Sequence, residues 1–318
     1  MAKELTDGTK KMYAITLRKL NDGDDIKISK AGIPNYKFLK NTEEILKKLN
    51  ILKPNTKRSY IITINSVLRD LKGYEGVKKY YFDLMKTMNK ELQDVNNIKT
   101  ETQKENWIEQ EDVNRIFDSL SEKTMPLLRK KKVNEMQWKE ILSFVVLCLY
   151  TIHAPRRNLD YKKMLYVNDT SAIDANHLKD FNYYNPKENK FYFYNFKTAG
   201  TYHCQEVEVH PKLKEILTMY MKLSPLKKEI NPYLLCKYDG TPLLGVNDIT
   251  RILNKIFDKK IGCSMLRNIY LSDKFSNTVN TLKNTASDMG TSSRVIQERY
   301  VKLDDNLLDD NLLDENID

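Results

Sequence analysis

Residues 190–209 read KFYFYNFKTAGTYHCQEVEV, and this stretch decides what kind of fold the chain builds. Lys190 to Phe196 is dense in Tyr and Phe, whose bulk suits a pleated, half-buried surface. Gln205 to Val209 alternates polar and apolar residues at the period of a strand. Lys197, Thr198, Ala199 and Gly200 lie between the two runs, so the spacing predicts a hairpin with a basic turn. On either side apolar residues recur every three or four positions, the period of helices. The expected fold class is mainly α with a small antiparallel β-sheet.

Upstream of the hairpin, Glu135 to Ile152 holds the longest apolar run, Ile141 to Ile152. That run is shorter than the roughly 20 residues that cross a bilayer, and it contains Ser143, so it reads as a buried helix. Trp107 and Ile108 precede another helix with an acidic start. Downstream, Pro211 starts a helix, Val246 to Phe257 forms a further one, and helical spacing continues to about Tyr300. In the first hundred residues Met12, Ile15, Leu17 and Leu20 mark one helix. Asn41, with Glu44 three positions on, opens a second that stops near Pro54. Asn55 is expected to cap a third that closes at Gly73, and a fourth runs roughly from Val77 to Leu92. Four short helices make a small bundle, with Lys10, Lys11, Arg18, Lys57, Arg58, Lys78 and Lys79 on its outward face. Asp94 to Asn106, DVNNIKTETQKEN, has almost no apolar residue and suits an exposed connection. The expected division is a helical domain over 1–98, a linker over 99–106, a second domain over 107–303 and a tail over 304–318.

The 318 residues carry 53 Lys+Arg against 43 Asp+Glu, a formal charge of +10, and a pI of about 9.1. Asp304 to Asp318 contains seven acidic and no basic residues, which leaves 53 basic against 36 acidic in residues 1–303, a body of +17. Such a body attracts a polyanion. The tail repeats itself as DDNLLDDNLL, and a five-residue repeat sweeps its leucines around a helix instead of along one stripe. It reads as a solvated acidic terminus, as a segment whose leucine pairs dock on a neighbouring subunit, or as a competitor with DNA for the basic surface. Cys148, Cys204, Cys236 and Cys263 are far apart and lack metal-ligand spacing, which points to a reducing, intracellular compartment. The charged N-terminus has no secretory apolar stretch. No Gly-rich phosphate loop, H-E-x-x-H motif or G-x-S-x-G elbow occurs, and His153, His177, His203 and His210 form no metal spacing, so neither a metal nor another cofactor is expected.

What remains is a series of cations followed by a tyrosine: Arg157 in HAPRRNLDY, Lys197 in YNFKTAG, Arg267 in SMLRNIY and Tyr300 in MGTSSRVIQERY. Here the chain resembles the tyrosine recombinases, the lambda-integrase family, across most of its length. The family's first arginine box matches Arg157, Asp160 and Met164. Its hairpin lysine matches Lys197, and its H-x-x-R box matches Leu266 and Arg267, with Ser264 in place of the histidine. Its nucleophile matches Tyr300, nine residues after Thr291, which stands where the family has histidine or tryptophan. The helical segment with LTDGTKKMYAITLRKLNDG and KPNTKRSYIITINSVLRDL is similar to the core-binding region of integrase-like members from large DNA viruses and virophages.

The resemblance implies a core-binding domain plus a catalytic domain closing as a C-shaped clamp on double-stranded DNA. It implies strand cleavage and rejoining through a 3′-phosphotyrosyl link, and integration of a viral or mobile genome. Four protomers would assemble on paired DNA sites, away from any membrane, in the virion or the host cytoplasm or nucleus. The chemistry explains the residue types. A tyrosine hydroxyl with a pKa of about 10 needs nearby cations to stabilise the phenolate. Negative charge on the non-bridging oxygens needs paired planar donors, which arginine supplies and lysine does not. The leaving 5′-oxygen needs a proton, for which the resemblance implies Lys197.

Several assignments stay open at this level. Arg156 is a competing clamp, with Arg157 then pairing Asp160. Lys187 or Lys190 is a competing donor, and Tyr270 a competing nucleophile that better fits a packing role. Ser264 and Thr291 donate hydrogen bonds to phosphate at best, because neither supplies charge. A type IB topoisomerase and a catalytically weakened DNA-binding protein are the alternative readings.

Overall fold

The computed structural model describes residues 5–28, 34–95, 98–169, 177 and 179–302. The acidic tail, residues 304–318, lies outside them. The chain divides into two compact units, Met1–Thr100 and Glu101–Asp318.

The first unit is helical: α1 (Asp7–Leu20), a 3-10 turn (Lys37–Lys40), α2 (Thr42–Asn50), α3 (Pro54–Leu68) and α4 (Glu75–Val95). The Asn41 side chain accepts the Glu44 amide at the start of α2, which satisfies one orphaned helix donor, and donates to the Glu44 carboxylate at 2.8 Å, which braces the cap. Helix α3 starts two residues earlier than expected. Lys53 is its N-cap, and Pro54, whose φ is already helical, stands at its first position in place of an Asn55 cap. It ends at Leu68; Gly73 sits further on, in the turn to α4, at a φ of +78° that favours glycine. The core joins Leu17, Leu20, Leu49, Ile61, Ile64 and Leu68, and the buried Tyr81 hydroxyl donates to the Leu39 carbonyl.

The polar stretch expected to be a linker is one only in part. Glu101–Asn106 forms α5, and Asn106, 9% exposed, accepts the Lys260 amide at 2.8 Å while donating to Thr102. A composition poor in apolar residues concealed this anchor because it is made by hydrogen bonds.

The second unit continues with α6 (Gln110–Leu128) and α7 (Glu135–Thr151). From Phe144 to Tyr150 every residue of α7 is buried, so α7 is the central helix. Its Trp138 donates to the Cys236 carbonyl at 3.1 Å and stacks on Tyr220 at 4.9 Å. There follow α8 (Asn158–Lys162), β1 (Leu165–Tyr166), β2 (Tyr183–Asn185), β3 (Lys190–Phe193), α9 (Ala199–Tyr202) and β4 (Gln205–Glu208). Then come α10 (Pro211–Leu223), α11 (Asp248–Phe257), α12 (Cys263–Asp288), α13 (Ser293–Val295) and a π turn (Ile296–Tyr300).

The chain is thus mostly helical with a small sheet of order β1-β2-β3-β4. The sheet is mixed, which corrects the expectation of an antiparallel one. β2–β3 and β3–β4 are antiparallel, but β1 runs parallel to β2. Strands separated by as many residues as 167–182 need not pair as a tight antiparallel hairpin, and a two-residue strand leaves no alternation to read. The expected hairpin is present, with β3 ending at Phe193 and the short helix α9 inside its connection. No helix among the described residues is long and apolar enough to cross a membrane.

Candidate active site

After α7 the chain turns through His153, Ala154 and Pro155, and Arg157 is the N-cap of α8 with extended backbone (φ −78°, ψ 153°). The two adjacent arginines part here. Arg156 donates through Nε to the Asp160 carboxylate at 2.9 Å and through its terminal amine to the Gln205 side chain at 3.0 Å. Its guanidinium lies 3.7 Å over the Phe193 ring and 5.5 Å from that of Phe196. Asp160 is 2% exposed, and burial raises its carboxyl pKa even though Arg156 pulls the other way. Arg156 is therefore consumed by structure. Arg157 is half-buried and makes no side-chain hydrogen bond or ion pair among the described residues. The alternative in which Arg157 pairs Asp160 and Arg156 is the clamp is not what the structure holds.

The same Arg156 fixes the segment that carries Lys197. Phe196 and Gln205 bracket that segment, and both meet the Arg156 guanidinium. A second tie comes from Asn182, 5% exposed. Its amide donates to the Asp160 carbonyl at 2.9 Å and the Asn195 carbonyl at 2.8 Å, and its oxygen accepts the Asn195 amide at 2.7 Å. One buried side chain thus joins α8 to the connection two residues before Lys197, which is itself exposed in a turn. Asn182→Ala is expected to cost about 2 kcal/mol, since it strands the buried Asp160 carbonyl and two partly buried backbone groups of Asn195. Chemical denaturation reads that loss, and Asn182→Asp, which keeps only the acceptor, is expected to recover part of it.

Another chain of contacts starts beside Arg157. Asn158, next to Arg157, accepts from the Tyr150 hydroxyl at 2.7 Å and donates to Thr250 in α11 at 2.8 Å. Thr250 in turn lies against Gly262, the N-cap of α12: a Cβ there would stand 3.3 Å from the threonine methyl. The start of α8 is therefore tied to α11 through one threonine, which leaves little room for a side chain at Gly262. Arg267 stands on the second turn of α12 between Leu266 and Ile269, which are buried, and is half-buried without a recorded partner among the described residues. Ser264 is exposed on the first turn of the same helix.

Tyr300 is not joined to these cations by any recorded contact. Helix α12 has 26 residues and is about 39 Å long at 1.5 Å per residue, so it carries the chain about 30 Å beyond Arg267. A turn at Gly290, φ +64°, brings the Thr291 amide back to the Ala286 carbonyl at 2.9 Å. The π turn follows, with Ile296 buried and the Tyr300 ring 63% exposed at its end. Past Ile269, α12 buries only Ala286. Hydrogen bonds thus tie the start of α8 to the connection that carries Lys197 and to α11, and among the described residues none joins Tyr300 or Thr291 to these segments.

Sequence reading missed Asn182, Gln205, Phe196 and Thr250, which position the cations without carrying charge. Among the described residues, no group of three His, Cys, Asp or Glu is placed to hold a metal ion. No family model matches the chain, and neither the curated proteins nor the solved structures give a match.

Proposed function

We propose that the chain is a site-specific DNA recombinase or integrase that breaks and rejoins strands through a 3′-phosphotyrosyl intermediate on Tyr300. The observation that carries this reading is the separation of the two neighbouring arginines. Arg156 is bound into the fold by Asp160, while Arg157 and Arg267 are half-buried and, among the described residues, make no side-chain hydrogen bond or ion pair. Two guanidiniums held in this way clamp the non-bridging oxygens of a phosphodiester. Lys197, exposed on a connection anchored by Asn182 and Phe196, donates a proton to the leaving 5′-oxygen. The phenol of Tyr300 attacks phosphorus, its proton passes to solvent, and the 3′-phosphate becomes an ester of the tyrosine. The bond energy is conserved for religation.

The reading requires Tyr300 to close on the cations. The far half of α12 buries little, and assembly of four protomers on two DNA sites, as the family resemblance implies, supplies that step. Both units add basic surface for double-stranded DNA, so binding falls steeply with salt. The chain would work in a virion or a host compartment that holds DNA. Incubation with a nicked duplex that cannot religate is expected to give an adduct that survives denaturation, and paired sites are expected to give joint molecules. Supercoil relaxation with no joint molecules would favour a type IB topoisomerase. The absence of an adduct on every duplex tried would favour a DNA-binding protein without catalysis.

A further inference from the structure

The first unit carries a groove of about 620 Å³ between α1, α3 and α4 that the strand chemistry does not use. Its floor is apolar, with Ile62, Phe82 and Met85, and its rim is cationic, with Arg69, Lys78 and Lys79; no acidic residue lines it. Phe82 is 45% exposed, a large apolar ring left facing solvent beside the Lys86 ammonium at 4.8 Å. Arg69 has only a weak, well-exposed pair with Asp70 at 3.4 Å. A duplex offers phosphates to such a rim but nothing to fill an apolar floor. An acidic segment with paired leucines satisfies both.

The chain contains such a segment. Asp304–Asp318 reads DDNLLDDNLLDENID, with seven carboxylates, no cation, and the pairs Leu307–Leu308 and Leu312–Leu313 each set between acidic residues. We propose that the groove is a docking site for Asp304–Asp318 of this chain, one leucine pair resting on Phe82 and Met85 and the flanking aspartates meeting Lys78 and Lys79. Apolar burial holds the segment and charge orients it. Docking would also neutralise part of the basic face of the first unit, and it holds whatever reaction the second unit performs.

The test uses the full chain with its own segment disarmed, L307S/L308S/L312S/L313S, and a fluorescently labelled peptide of residues 302–318. Saturable binding by anisotropy is expected at moderate salt. The unmodified chain, whose own segments compete, is expected to bind the peptide several-fold more weakly. Phe82→Ala in the disarmed chain is expected to weaken binding about tenfold. Lys78→Glu with Lys79→Glu is expected to weaken it at least as much, and serves as the second probe should the alanine disturb folding. A peptide with its four leucines changed to serine is expected not to bind. Equal binding of that serine peptide would overturn the proposal, as would wild-type affinity in both groove variants. A loss of duplex DNA affinity in Phe82→Ala as large as the loss of peptide would assign the groove to DNA instead.

Discussion

Tyr300→Phe is expected to bind duplex DNA as the unmodified chain does and to form no covalent adduct with it. The substitution removes one oxygen from a ring that is largely in solvent, so folding and DNA affinity have no reason to change. What it removes is the only atom of that side chain able to take up phosphorus, and loss of a covalent nucleophile costs on the order of 10⁴ to 10⁶ in rate. Tyr270→Phe is the matched control. That ring lies on α12 beside the buried Ile269, half-buried itself, with the Lys274 ammonium 5.8 Å from its centroid, and its loss is expected to leave the adduct intact. An adduct that persists in Tyr300→Phe and vanishes in Tyr270→Phe would transfer the role.

The second large effect separates the two adjacent arginines. Arg157→Ala and Arg267→Ala are each expected to slow cleavage by on the order of 10² to 10³, the usual loss when a preorganised donor to a developing oxyanion is removed. Their melting temperatures are expected to stay close to that of the unmodified chain, because neither guanidinium makes a side-chain hydrogen bond or ion pair among the described residues. Lysine at either position is expected to fail as well, since it lacks the paired planar donors. Arg156→Ala should behave in the opposite way. It leaves Asp160 buried without its counter-charge and strips the face of Phe193, so about 3 kcal/mol of stability is lost, or roughly 6 to 12 °C. Thermal unfolding and a single-turnover cleavage assay on the three variants decide it. A stable but inactive Arg156→Ala beside an unstable Arg157→Ala would reverse the assignment.

How much of this was legible in the residues depends on the range of the interaction. The Asn41–Glu44 cap is a contact between residues three apart, and it could be read directly. The hairpin around Lys197 announced itself through Tyr and Phe density and the alternation of QEVEV. Spacing favoured Arg157 over Arg156, but it could not show which of them the fold holds, because residues three and four before Asp160 both reach it on a helix. The contacts that hold Arg156, to Gln205 and Phe193, come from β4 and β3. Asn182 carried no signal, since an asparagine between two aromatic-rich runs looks like any turn residue until its three backbone partners are in place.

The remoteness of Tyr300 did have a trace. From Cys263 to Met289 there is neither Gly nor Pro, so nothing local stops α12 until Gly290. Four boxes in order suggest which residues act, but the order along the chain says nothing about where an unbroken helix delivers the last of them.

The most direct measurement identifies the amino acid that carries DNA. The adduct formed on a nicked duplex is digested with nuclease and protease, and the modified peptide is sequenced by mass spectrometry. A 3′-nucleotide on the oxygen of Tyr300, absent when Arg157 and Arg267 are both alanine, is the predicted result. A nucleotide on Tyr270, on a serine, or on Tyr300 with undiminished yield in the double alanine variant would contradict the account.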